Sequence, residues 1–273
     1  MSLLALGVTL AAAVLHALWN QLLAGSGSAH ARTAVGMLIG SVVFLPFALR
    51  DPQISARAWG YIAASVVVEL AYFATLATAY ERAPMGVVYP VARGSAPALV
   101  LLVSTLALGE RVTVASVVGI VLIVAGILLV RGFTGAVRVR HLALALAIGA
   151  FIAGYTLIDA AGLRYASPAA YLEIVFVAVA VAYSAGLAVR SGFGTLRRVL
   201  DWRTAVAGIG MFAAYGLVLL ALTLAPAPPV AATRETSVVI AMILLAATRQ
   251  ERVTVLRLVG AVLVCAGIAA IVG

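Results

Sequence analysis

Apolar residues run along this chain in ten stretches, at roughly 3–24, 32–49, 57–80, 84–108, 112–131, 141–163, 168–190, 203–224, 227–248 and 253–272, separated by polar breaks. Each is close to the roughly 20 residues that an α-helix needs to cross the hydrocarbon core of a bilayer. They are continuous and rich in Ala, Leu and Val, without the alternation of a membrane β-barrel strand, so each predicts a spanning helix. Most breaks are short, such as 51–56 and 109–113, which predicts that sequence neighbours are antiparallel neighbours in space. The longest are 132–140 and 191–202. The first stretch has no basic leader and carries His16, Trp19 and Asn20, so it is expected to be a retained helix and not a signal peptide.

The pattern also repeats. Laying 109–127 on 250–268 makes about a dozen of nineteen positions identical, with Gly119 on Gly260 and Gly126 on Gly267. The same offset lays Arg93 on Arg234. The chain is thus expected to be a duplication: a first repeat over 1–131, a linker over 132–140, and a second repeat over 141–273. Five helices per repeat is an odd number, so the second repeat enters the membrane from the opposite side to the first. The expected fold is an all-α integral membrane protein with ten transmembrane helices in two inverted five-helix repeats, an architecture that places a site at the midplane between the halves. Gly36 with Gly40 and the pairs 119/126 and 260/267 are candidates for close helix contact.

Composition agrees with a membrane location. Of 273 residues, 65% are hydrophobic and 10% charged, with a mean hydropathy of +1.19, too few polar residues to cover a soluble domain. The net charge of +9 comes from arginine alone, mostly in the breaks. That placement points to membrane-surface anchoring, and the lack of a basic run interleaved with aromatics excludes nucleic acid as a partner. Counting arginines across the breaks places both termini outside. Cys265 is the single cysteine, and His16, His30 and His141 lie far apart, so neither a disulfide nor a metal or other cofactor site is expected.

Polar residues inside the spans carry the candidate chemistry. A guanidinium in hydrocarbon costs about 2.5 to 3.5 kcal/mol of insertion energy, yet Arg93 stands within the run Tyr-Pro-Val-Ala-Arg at 89–93 and Arg234 follows Ala-Pro-Ala-Pro-Pro at 225–229. The prolines are expected to open each helix. An arginine fork beside freed backbone suits a carboxylate or phosphate-like group, with structural pairing to a buried acid as the competing role. Glu69, with Tyr72 and Phe73 one turn on, is expected either to pair with Arg93 or to carry a proton, the ion pair being favoured. Asp159 is the counterpart of Asn20 and Tyr155 of His16, so each half presents a polar pair at i, i+4. For His16 an interhelical hydrogen bond is favoured. Glu173 is expected at the interface, and Glu235 is expected to point about 100° away from Arg234 on one helix. The substrate-binding candidates are Arg93, Arg234, Tyr89, Tyr155, Asn20 and Trp19; those for proton coupling or ion pairing are Glu69, Asp159 and His16.

The ten-helix duplicated plan, His-Ala-Leu-Trp-Asn at 16–20, Leu-Gly-Glu-Arg at 108–111 and the echoed Glu-Arg at 251–252 resemble the EamA-like branch of the drug/metabolite transporter superfamily over the whole chain. The resemblance implies secondary transport of small metabolites, such as amino acids or related compounds, with export as the expected direction. It also implies a prokaryotic cytoplasmic membrane, and termini in the cytoplasm, opposite to the arginine count. The expected partners are a small anionic or zwitterionic molecule and the lipid bilayer, and a homodimer is compatible with them. The rival readings are a non-transporting membrane scaffold or sensor and an intramembrane enzyme.

Overall fold

The structure, a computed structural model, describes residues 1–23, 28–83, 85–109, 112–131, 138–247 and 254–272. Apart from an isolated bridge between Ile54 and Ala166, the regular structure among them is helical. The helices are α1 (Leu3–Leu23), α2 (Ala29–Arg50), α3 (Ala58–Arg82), α4 (Met85–Leu108), α5 (Val114–Arg131), α6 (Val139–Gly162), α7 (Pro168–Ser191), α8 (Phe193–Arg197), α9 (Trp202–Leu224), α10 (Ala227–Arg234), α11 (Thr236–Ala247) and α12 (Val255–Val272). Seven of them, α1, α2, α3, α6, α7, α9 and α12, contain stretches long and apolar enough to cross a membrane; Val91–Ala107 and Val114–Val130 are shorter apolar stretches. Large apolar side chains such as Leu106, Val114 and Val189 face outward, where a bilayer supplies the apolar surroundings that water would not. The chain is an integral, multi-pass membrane protein.

Three expectations change here. The run 227–248 is not one helix, because α10 stops at Arg234 and α11 starts at Thr236. At the join, Arg93 Nη2 on α4 donates to the Arg234 carbonyl at 3.4 Å and to Ser237 Oγ at 2.5 Å, and the Thr236 hydroxyl donates to the Thr233 carbonyl. The break therefore follows the arginine and not the prolines. Conversely, α4 stays continuous through Pro90 and Pro97; each proline removes one backbone donor, and packing against α6 holds the rod around the gap. The break 191–202 contains the short helix α8 after Gly192, whose φ of +76° suits glycine at the end of α7.

Packing between the halves follows the duplication. Pairing α1 with α6, α2 with α7, α3 with α9, α4 with α10–α11 and α5 with α12 as counterparts, the main contacts between the halves have exchanged twins: α1·α9 with α6·α3, α4·α6 with α10·α1, and α2·α9 with α7·α3. Helices α2 and α7, and α5 and α12, pack on their own counterparts. A Cβ on Gly119 would lie 2.6 Å from the Gly267 carbonyl oxygen, and one on Gly126 2.5 Å from that of Gly260. The facing pairs are crossed relative to the sequence alignment, so α5 and α12 run antiparallel. Gly36 meets the backbone of Gly208 on α9, and Gly40 the ring of Phe212. The main core joins α1, α2, α3, α4, α6, α7, α9 and α10, while a second apolar cluster, including Ile123, Ile127, Val238 and Val264, draws α5, α11 and α12 together.

Polar contacts tie the helix ends. Ser55 N donates to the Tyr165 carbonyl and Ser167 N to that of Gln53, both at 2.9 Å, which joins the 51–57 break to the turn after α6. Ser167 caps α7, accepting from Ala170 N at 3.4 Å with Pro168 in the first turn. At the start of α9, Asp201 Oδ1 accepts from Thr204 N at 2.9 Å, and Arg32 of α2 binds its two oxygens at 3.0 and 2.8 Å. The Thr204 amide first, and the Arg32 guanidinium with it, hold the Asp201 carboxyl below the usual carboxylate range.

Two predictions arise from this packing. Gly126→Val should lower the melting temperature in detergent, at the roughly 1–3 kcal/mol typical of overpacking, while Gly186→Ala, which meets open space, should not. Because the folded pKa of Asp201 is depressed, its stabilisation is present above the unfolded value and lost as pH falls through the folded one. Asp201→Ala should therefore melt earlier than wild type at neutral pH, and the two curves should converge below about pH 4.

Candidate functional site

Arg93, on α4, and Arg234, the last residue of α10, are 5% and 6% exposed and reach one central cavity. The first half also contributes His16, Trp19, Glu69, Tyr72 and Phe73 to its wall, and the second Tyr155, Phe176, Met211 and Tyr215. The site is thus built from both halves. It offers about 30 Å³ to the centres of water-sized molecules, room for roughly two waters.

The expected Arg93–Glu69 pair is replaced by another. Arg93 Nε lies 3.3 Å from Glu235 Oε2, with both side chains buried. This is a contact of charges rather than an aligned hydrogen bond. Glu235 stands at the join between α10 and α11, and α10 packs against α4, which carries Arg93. Glu69 remains in the cavity wall, 1% exposed, and its Oε2 has no hydrogen-bond partner among the described residues.

Arg234 is held differently. Its Nη2 donates to the Tyr155 hydroxyl at 3.4 Å, and its guanidinium carbon sits 5.9 Å from the centre of the Tyr215 ring, within cation–π range. The Tyr215 hydroxyl in turn donates to Asp159 Oδ2, and the Tyr171 hydroxyl donates to Oδ1 at 2.8 Å. Asp159 is fully buried and lies behind this cavity wall, so it anchors α6, α7 and α9 to one another. Tyr155 meets Tyr72 and Tyr215 edge-on, both at 5.4 Å between ring centres, and Phe176 stacks on Tyr215 at 5.3 Å.

Of the nine candidates read from the sequence, Arg93, Arg234, Trp19, Tyr155, Glu69 and His16 share this cavity. Asn20 does not line it; its Nδ2 donates to the His16 carbonyl of its own helix at 2.8 Å. The expected interhelical hydrogen bond of His16 is not formed among the described residues, and its ring instead meets Trp19 edge-on at 5.0 Å. The side chain of Tyr89 lies outside the described residues, as do Glu110, Arg111 and residues 249–252. Glu173, expected at the interface, is 5% exposed. Sequence reasoning missed Tyr171, Tyr215 and Ser237, because an uncharged hydroxyl in an apolar span lacks the insertion cost that draws notice to an arginine. Among the described residues, no group of three or more His, Cys, Asp or Glu side chains could hold a metal ion.

A multi-pass helical bundle whose buried charges converge on a cavity shared by two related halves has the form of a membrane transport protein. The EamA-like transporter family model matches residues 1–132 and again 140–273, and the chain belongs to that family. No curated protein matches it. It is similar to a protein of known crystal structure at 18% identity, over 98% of each chain, with a TM-score of 0.78, a likeness of fold.

The buried pair predicts a rescue. Removing one partner of a buried ion pair costs about 3–5 kcal/mol because it strands the other charge. Arg93→Ala should lower the melting temperature sharply, and adding Glu235→Gln should recover most of the loss, whereas adding Glu69→Gln should recover little.

Proposed function

We propose that this protein is a secondary transporter that exports a small anionic or zwitterionic metabolite, such as an amino acid or a related compound, across a prokaryotic cytoplasmic membrane. Access alternates around the central cavity between two inverted repeats, 1–131 and 141–273, joined by the linker 132–140. The antiparallel run of the counterparts α5 and α12 supports the inversion. Ten crossings follow if α10 and α11 are one broken crossing, and discontinuous helices at a midplane site are a recurrent transporter device.

The observation that carries the reading is that Arg93 and Arg234, equivalent in the two repeats, meet in one cavity lined by both. Arg93 is largely balanced by Glu235. Arg234 has a neutral hydroxyl and an aromatic face as its partners, so its charge is left for a substrate anion. The guanidinium fork matches a carboxylate in a way that a lysine ammonium cannot. Tyr155 contacts that guanidinium and Trp19 lines the same cavity, and the expected partner is a small molecule with an acid group.

Uptake and binding of carboxylate metabolites in proteoliposomes tests this. Arg234→Lys should weaken binding by about 1 to 3 kcal/mol, the worth of charged hydrogen bonds, without loss of the fold. Arg93→Lys should act mainly on stability. Substrate affinity unchanged in Arg234→Lys would remove Arg234 from the binding site.

A further inference from the structure

A carboxyl group and a guanidinium line the same cavity without forming an ion pair among the described residues. Glu69 and Arg234 both line it and both are nine-tenths buried or more. Arg234 bonds to Tyr155, and the arginine nearest in role, Arg93, has its ion pair with Glu235. Glu69 Oε2 is left without a hydrogen-bond partner among the described residues, and so is the indole Nε1–H of Trp19 in the same wall. A buried carboxylate oxygen without a donor is costly, and a fold that only needed structural charges would close Glu69 onto an arginine.

We propose that Glu69 is the seat of a protonated amine on the transported molecule, so that the substrate is a small zwitterion bound by its amine at Glu69 and by its acid group at Arg234. The inference rests on the transporter reading above and adds to it the residue that selects the second charge. Tyr72 and Phe73 lie three and four residues beyond Glu69, on the same face of α3, and both line the cavity. Two aromatic rings beside a carboxyl group suit an ammonium, which offers three donors to Glu69 and a charge to the rings. The Trp19 indole N–H, without an acceptor among the described residues, is matched by an acid oxygen of the same molecule.

The probe is a set of small aliphatic and aromatic α-amino acids, each with its deamino and its N-acetyl counterpart, and with the corresponding amine lacking the acid. Binding is read by melting curves and by isothermal titration on detergent-solubilised protein. Wild type should bind at least one amino acid at least tenfold more tightly than its deamino and N-acetyl forms. Glu69→Gln should lose that preference, and Glu69→Asp should keep it in part. Without ligand, Glu69→Gln should melt at or above wild type, because Glu69 forms no ion pair among the described residues that the change would break; a structural ion pair would make it melt lower. The inference is overturned if wild type binds the deamino acids as tightly as the amino acids, if Glu69→Gln keeps the preference, or if no amino acid of the set binds. Binding of deamino acids that is lost in Arg234→Lys leaves the anion seat standing and removes only the role of Glu69. Binding of the amines alone, unaffected by Arg234→Lys, does the reverse.

Discussion

An arginine cannot stand idle inside a helical bundle in lipid, and the centre of this protein is arranged around that constraint. Arg93 is answered three times by the same short segment: by the Glu235 carboxylate, the Arg234 carbonyl and the Ser237 hydroxyl. In an unbroken α-helix the Arg234 carbonyl would accept from Val238 N, which at this join donates to the Glu235 carbonyl at 3.0 Å. The division of α10 from α11 is therefore bound up with the solvation of a guanidinium on a neighbouring helix. It also places Arg234 at a helix end, where its side chain turns toward Tyr155 and Tyr215.

The duplication distributes this chemistry unequally. Both repeats retain an arginine at the equivalent position, yet the Arg93 side carries a balanced pair and the Arg234 side a charge over an aromatic ring. The first half presents His16 and Asn20 where the second presents Tyr155 and Asp159, and the second half builds a hydrogen-bonded node, with Tyr171 and Tyr215 on Asp159. A symmetric scaffold thus holds an asymmetric site. The symmetry is kept where only shape matters, in the crossed glycine contacts of α5 and α12, and is lost where charge matters.

Much of the architecture was legible in the chain itself. Ten apolar runs, a repeated segment with matched glycines and a pair of equivalent arginines state a membrane location, a duplication and a central charged site, because hydropathy and the desolvation cost of a charged group are properties of the residue itself. Glycine spacing marked the tight seams for the same reason, since a missing Cβ is visible without coordinates. Six of the nine candidate side chains share one cavity because an ionisable or amphipathic residue has few other places to go in an apolar bundle.

Partners are another matter, because they depend on which helices lie side by side and where a helix breaks. Glu69 and Glu235 are both acids in apolar spans, and only the packing of α4 against α10 decides that Glu235 takes Arg93. The prolines pointed to an opening in each half, but helix packing keeps α4 whole and hydrogen bonding at the end of α10 moves the break past the prolines. Tyr171 and Tyr215 become visible only as the groups that hold Asp159. The residues alone determined what had to be buried and that it had to be satisfied; the tertiary structure decided by whom, since a hydrogen bond or an ion pair is a property of two groups and of the few ångströms between them.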